Sequence, residues 1–400
     1  MFVEPPAPSN RLVSANLTLH GCQNQPHGYH GIGRFIRDLT HALLDVDPCI
    51  VSRLIVDPSL PLKHLYSDFG TIKPFHFHPS KQRTRFNLSS SKEIFHVLSP
   101  VELNVPLRRL VPEPVLTGGA PLIATLYDLI PYLFPRAYLW NEDSRYRYLA
   151  RINLYREADH VIAISDSSKQ DAIRILGISS ENITSIYPGV SDFFAPPAES
   201  RQAVLQTVIA KHPRIRANFI LYVGSMDFRR NMIGAIEAYS LLPDDLKASY
   251  QFVLVCHANP LDREYLMNAA KKYKVAHRVV VMDYIDDHAL KGLYQACSVF
   301  FFPSLYEGFG LPVVEAMKCG APALVGDNSS LREIMQVQRA RFDATNAEAA
   351  GRKLTEALRD ETFRRQLSTY GIVRAQYFTW RRAAEETIAC YQKLADEAAR

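Results

Sequence analysis

Long apolar runs are missing from this chain: no stretch approaches the roughly 18 residues needed to cross a bilayer. Any membrane role is therefore expected to be peripheral. The N-terminus, MFVEPPAPSN, has prolines and an acid where a signal peptide has a basic start and an apolar run. Paired cysteine motifs are missing as well. Cys22, Cys49, Cys256, Cys297, Cys319 and Cys390 are scattered with no CxxC spacing. That suits reduced thiols in a cytoplasmic protein, not a disulfide framework. A large excess of one charge is also lacking, since 46 Lys and Arg face 41 Asp and Glu. Neither half is strongly basic, so no nucleic-acid partner is expected. The net +5 still favours an anionic ligand or an anionic membrane face. Convincing metal clusters are absent too. Asp45 and Asp47 form a D-x-D just before Pro48, which reads as turn chemistry. His27 with His30, and His76 with His78, have no third ligand in view, so no metal is expected.

What is present is a regular alternation of short β-branched runs with helix-like stretches. LVSANLTL, APLIATLYDLI, DHVIAISD and ITSIYPG read as buried strands, with GRFIRDLTHALLDV and SKQDAIRILG as helices between some of them. SDFFAPPAESRQ, rich in Pro and polar residues, marks a linker near residues 191–200. The alternation then restarts with NFILYVGS, YQFVLVC, RVVVMDY, SVFFFPS and APALVG as strands. The predicted fold class is α/β, with two Rossmann-like doubly wound domains facing a central cleft. The first spans residues 1–195 and the second 196–378. Ligands in such sheets sit beyond the carboxyl ends of the strands.

Between SVFFFPS and the next helix lies SLYEGFGLPVVEAM, Ser304 to Met317. Gly308 and Gly310 let the backbone approach a ligand without a Cβ in the way. Pro312 suits a first helical turn, whose free N–H groups suit a phosphate. Glu315 is expected in that same first turn, able to accept two hydrogen bonds from a vicinal diol such as ribose. Glu307, before the turn, would reach another part of the same ligand. The plainer reading, an acid favoured by the helix dipole among ordinary loop glycines, stands beside it.

The Glu307–Glu315 pair within YEGFGLPVVEAM resembles the E-x7-E signature of family 4 retaining glycosyltransferases, which have the GT-B fold. GYHGIGRFIRDL, TLYDLIPYLFP, HVIAISDSSKQD, IYPGV and YVGSMDFRRN resemble the family's other landmarks in the right order. The resemblance covers nearly the whole chain. It implies transfer of a hexose, with mannose from GDP-mannose the leading donor, to a hydroxyl of a glycan or lipid-linked acceptor in polysaccharide or lipopolysaccharide biosynthesis. UDP-sugar donors, an epimerase and a degenerate nucleotide- or partner-binding module are the alternatives. No cofactor is implied, the nucleotide-sugar being a substrate. The place of action implied is the cytoplasm, at the inner membrane face. Residues 379–400 are expected as a helix returning to the first domain.

Carried over residue by residue, the resemblance gives Glu315 the donor ribose and Glu307 the sugar hydroxyls. Backbone around Gly308, Phe309, Gly310 and Leu311 faces sugar and diphosphate. The RRN segment resembles the family's RK pair, so Arg230 neutralises the diphosphate, beside Asn231. Arg229 is read as a solvated neighbour. Ser225 stands where some relatives carry a second arginine, and Tyr284 and Ile285 meet the base. From the other domain Gly31, Ile32 and Gly33 approach the diphosphate or sugar. Gly31-x-Gly33 has Ile at position 36 where a dinucleotide fingerprint has its third glycine. Tyr127 occupies the place of a His common in relatives, next to Asp128 near sugar or acceptor. The plain alternative is that Tyr127 is packing and Asp128 holds the turn before Pro131. RYRYLARINLYRE, 145–157, has Tyr148, Leu149, Ile152 and Tyr155 on one helical face, expected inward; facing a lipid-linked acceptor is the other reading. HPSKQRTRFN, 78–87, with Lys81, Arg83, Arg85 and the basic His78, is either an acceptor loop or a solvated one.

Overall fold

The structure is a computed structural model that describes residues 13–19, 31–56, 93–100, 111–283 and 285–398, and the backbone of 74–76. The chain divides into two compact units, one of residues 1–189 with 379–400, the other of residues 190–378.

The first unit carries seven strands: β1 (Ser14–Thr18), β2 (Val51–Val56), β3 (Pro74–His76), β4 (Glu93–Val97), β5 (Leu122–Leu126), β6 (His160–Ala163) and β7 (Ile183–Ser185). Their order is β3-β2-β1-β4-β5-β6-β7, every pairing parallel. β1, β4, β5 and β6 are buried along their full length, as expected of a sheet covered on both faces. β4 carries a charge inside, and the half-buried Arg53 of β2 answers it. Arg53 on β2 donates to Glu93 on β4 at 3.0 Å and to Asn16 on β1 at 2.9 Å, so the buried carboxylate is paired across the sheet.

The stretch 145–157 divides by face. Ile152 and Tyr155 lie in a cluster with Leu126, Leu129, Val161 and Ile183, against which Tyr148 and Leu149 pack. Tyr146, on the other side of the same helix (Glu142–Ile152), is exposed. Asp47 accepts from the Cys49 N–H at 2.9 Å, the turn role read for it.

The helix Trp380–Ala398 belongs to this first unit and packs on the helix Ile32–Val46. Tyr391 anchors it: its hydroxyl lies 2.6 Å from Nδ1 of His96 on β4, whose Nε2 lies 2.8 Å from the Thr125 hydroxyl on β5. Both partners are hydroxyls, which can donate or accept, so a neutral imidazole satisfies them in either tautomer.

The second unit has β8 (Phe219–Ser225), β9 (Gln251–His257), β10 (Val279–Met282), β11 (Val299–Phe302), β12 (Ala323–Gly326) and β13 (Arg341–Phe342). Their order, β10-β9-β8-β11-β12-β13, is again wholly parallel. This is the doubly wound arrangement in which the chain reverses direction between β8 and β11. No helix among the described residues is long and apolar enough to cross a membrane.

His96 makes stability depend on pH. Burial pushes its pKa down from 6.5 to about 3, and that of His160 to about 4. Below pH 6.5 the unfolded chain binds protons that the folded chain refuses, so stability falls as pH drops. Each histidine adds a slope approaching about 1.4 kcal/mol per pH unit. Chemical denaturation at pH 7 and pH 5 should show this loss, and His96→Gln should remove about half of it; an unchanged slope would refute the assignment.

Candidate functional site

The chain leaves β11 at Phe302 and turns at Ser304 into the loop that carries Glu307. Glu307 is only 3% exposed, and a carboxylate so buried needs partners. It has two guanidiniums. Arg229 Nη1 is 2.5 Å from Oε2, and Arg230 Nη1 is 2.7 Å from Oε1. The Ser304 hydroxyl donates to Oε1 at 2.6 Å. Arg229 is thus not a solvated neighbour. The short 3-10 turn Phe228–Arg230 aims both side chains inward, and Asp227 holds that turn by accepting from the Arg229 N–H at 3.0 Å.

Arg230 is less completely satisfied. Its Nη1 lies within ion-pair distance of Glu307 but out of line for a hydrogen bond, and its buried Nε–H has no protein partner. Its guanidinium carbon stands 5.3 Å over the Phe302 ring. Tyr222 donates to the Arg230 carbonyl at 3.0 Å, and burial keeps that phenol protonated. Asn231 follows in a left-handed conformation, φ 54°, and its amide donates to the carbonyls of Pro303 at 3.1 Å and Ala344 at 2.8 Å. The side chain of Asn231 therefore ties three loops together.

The glycine turn is equally fixed. The Glu307 N–H donates to Ser329 at 2.9 Å, and the Ser330 hydroxyl reaches the carbonyls of Glu307 and Phe309. Gly308 is buried, and the Phe309 ring packs edge-on against Phe378 at 5.4 Å. Gly310 has φ 115°, and a Cβ there would meet Leu331 at 2.9 Å, so this position is closed to larger residues. Gly310 caps the helix Leu311–Lys318, which puts Glu315 at its fifth residue. The expectation of a first-turn carboxylate is corrected: the helix already starts at Leu311, which leaves Glu315 beyond the first turn, and dipole attraction does not explain it. Glu315 is 8% exposed and accepts from the Tyr294 hydroxyl at 3.3 Å.

Other residues singled out from sequence fall along the same carboxyl edge of the second sheet. Ser225 is the exposed last residue of β8, in register with His257 of β9. Ile285 follows β10; Tyr284 lies outside the described residues. In the first unit, Gly31 has φ 56° and opens the helix that begins with Ile32 and buried Gly33. Phe35 of that helix meets the ring of Tyr127 edge-on at 5.1 Å. Tyr127 is buried and donates to the Leu98 carbonyl at 2.8 Å. Asp128 accepts from the Ile130 N–H at 3.0 Å. Those contacts satisfy the packing and turn readings of both residues. His27, His30, His78 and the 78–87 loop lie outside the described residues.

Sequence reasoning missed the serine layer, Ser304, Ser329 and Ser330, and the role of Arg229. No spacing rule points to them, and Arg229 and Glu307 stand 78 positions apart in the sequence.

Two family profiles match the chain: Glycosyltransferase Family 4 over residues 29–192, and Glycosyl transferases group 1 over residues 207–374. The chain is 32% identical to the serotype-specific mannosyltransferase WbdA of Escherichia coli over 273 residues, 68% of this chain and 33% of that protein. It therefore spans about a third of the length of the first relatives it matches. It is 27% identical to the O-antigen chain mannosyltransferase B of Escherichia coli over 277 residues, 68% of this chain and 70% of that one. The solved sucrose-phosphate synthase of Thermosynechococcus elongatus superposes with a TM-score of 0.72 at 20% identity, over 96% of this chain and 99% of that one, a likeness of fold. With one profile on each unit and this architecture, the chain belongs to the family 4 glycosyltransferases, group 1, with the GT-B fold.

Proposed function

We propose that the protein is a retaining hexosyltransferase that moves mannose from GDP-mannose to a hydroxyl of a glycan acceptor during O-antigen-type polysaccharide synthesis. The observation that carries this reading is the Arg229–Glu307–Arg230 cluster at the carboxyl edge of the second sheet, with buried Arg230 N–H groups that no protein atom satisfies. The names of the mannosyltransferase relatives support the choice of sugar.

In the proposed reaction the bond between the anomeric carbon and the β-phosphate oxygen breaks, and the acceptor oxygen bonds that carbon on the same face. The acceptor proton passes to the departing phosphate. Fixed cationic donors lower the barrier most where negative charge develops, which is on that leaving group. Arg230 serves this end, and Glu307 aims the arginines while offering acceptors to sugar hydroxyls. Glu315, fixed by Tyr294, receives the ribose. Asp128 lies toward the acceptor in this reading, with Tyr127 supporting it. No metal takes part, and the work is done in the cytoplasm at the inner membrane face.

Mass spectrometry of products from GDP-mannose and from UDP-sugars, with mannose oligosaccharides as acceptors, tests the donor. A hexose added from GDP-mannose alone, unaffected by chelator, is expected; addition only from a UDP-sugar, or none, refutes the reading. GDP should raise the melting temperature more than UDP or ADP. Arg230→Ala should lower kcat by about 100- to 1,000-fold, the scale of losing one oriented charge-stabilising donor. Stability should change by less than about 2 kcal/mol, because Glu307 keeps Arg229 and Ser304.

A further inference from the structure

Soluble proteins rarely leave tryptophan in water, and large exposed apolar groups gathered in one place mark a binding surface. In this chain Tyr132, Trp140 and Tyr146 are 43%, 78% and 76% exposed. All three lie in one short segment of the first unit, the one that leaves the carboxyl edge of β5. Asp128 starts it by accepting from the Ile130 N–H, and Tyr132 lies on the helical turn Ile130–Leu133. Trp140 immediately precedes Asn141, whose side chain caps the helix carrying Tyr146 by accepting from the Ser144 N–H at 2.7 Å. The inward side of that helix holds Tyr148 close to Asp128, whose charge adds to burial in raising the phenol's pKa. The exposed rings thus stand on a backbone that is fixed to the turn bearing Asp128.

The charge around these rings indicates their partner. Between Tyr132 and Arg147 the exposed charged side chains are Arg136, Arg145 and Arg147 against Glu142 and Asp143, and Arg147 pairs with Asp143. So near a balance offers little attraction to an anionic bilayer, which draws clustered cations. It suits a neutral, hydroxyl-rich ligand. Such a ligand stacks the C–H faces of its rings on aromatic faces, and takes its hydrogen bonds from guanidinium donors and carboxylate acceptors together.

We propose that Tyr132, Trp140 and Tyr146 form a docking surface for a neutral oligosaccharide, the part of the acceptor glycan distant from its reacting hydroxyl. The proposal rests on the glycan-acceptor reading above and extends it. The surface grips sugar units already in place, so affinity rises with acceptor length. Trp140, the most exposed of the three, is the main platform, and the arginines and acids around it fix the orientation of the ring hydroxyls.

The chain has only two tryptophans, Trp140 and Trp380, and Trp380 is partly buried against Phe35. A change in intrinsic fluorescence that Trp140→Phe removes therefore reads Trp140, with Trp380 as background. Titrating the full chain with mannose oligosaccharides of increasing length should quench and blue-shift the emission, most for the longest, and Trp140→Phe should abolish that change. By calorimetry, Trp140→Ala should weaken the longest oligosaccharide about tenfold, the scale of one lost aromatic contact. Trp140→Phe should retain most of that affinity, and GDP binding should be the same in all three proteins. Unchanged affinity in Trp140→Ala overturns the proposal. So does a blue shift with vesicles of phosphatidylglycerol and phosphatidylethanolamine but none with oligosaccharide, which assigns the patch to a bilayer. Oligosaccharide bound through Trp140 without any hexose transfer would sink the transferase reading and leave this surface standing.

Discussion

The burial of Glu307 organises the second unit. A carboxylate removed from water is costly unless other charges and hydrogen bonds replace its hydration. Two consecutive arginines and one serine do so, and their positions settle much else. Consecutive residues on a strand point to opposite faces, so Arg229 and Arg230 both reach Glu307 only because β8 has already ended. The 3-10 turn that follows it is closed by Asp227 on one side and by left-handed Asn231 on the other. Asn231 in turn ties this turn to the ends of β11 and β13 through the carbonyls of Pro303 and Ala344. One ion cluster thus fixes three loops at the carboxyl edge, where open α/β sheets present their ligands.

The arrangement is also incomplete in a directed way. Two guanidiniums meet the buried Glu307, with Asp227 3.7 Å from the Arg229 Nε, and the buried Nε–H of Arg230 has no hydrogen-bond partner in the protein. Unsatisfied buried donors are costly in a purely structural cluster. They are understandable where an anion completes the shell. Arginine suits that task better than lysine would, because its planar fork can hold Glu307 with one edge and present the other.

Much of this was legible in the sequence. The strand–helix alternation of the second unit was readable because β8, β9, β10, β11 and β12 are uncharged, β-branched or aromatic runs ending at Gly, Pro or polar residues. In the first unit β2 and β4 were not read. Each carries a charge, the half-buried Arg53 and the fully buried Glu93, and their pairing, shared with Asn16, makes that tolerable. β3 and β13 are too short to carry a pattern, at three and two residues. At the site, Glu307 and Glu315 could be named from the glycine loop between strand and helix, and Arg230 from the resemblance of RRN to the family's RK pair. The engagement of Arg229 and the serine layer could not, since they depend on how loops from different strands meet. The start of the Leu311–Lys318 helix was misplaced for a related reason. Pro312 marks a first turn but does not number it, and the left-handed Gly310 sets the boundary.

The place where this helix starts bears on how phosphate would be held. A helix N-terminus attracts anions through its free N–H groups, and this one has few to offer. Pro312 has none, and the Val313 N–H turns back to the Gly310 carbonyl at 2.9 Å. The loop carbonyls of Glu307 and Phe309 are occupied by Ser330, so the loop is held by side chains and not by a ligand. With Ser225 supplying no charge at the end of β8 and Asp227 beside Arg229, a diphosphate at this edge would draw chiefly on the unfilled N–H groups of Arg230. Electrostatic catalysis here would rest on one guanidinium pair held by one buried acid, with the helix dipole in a minor part.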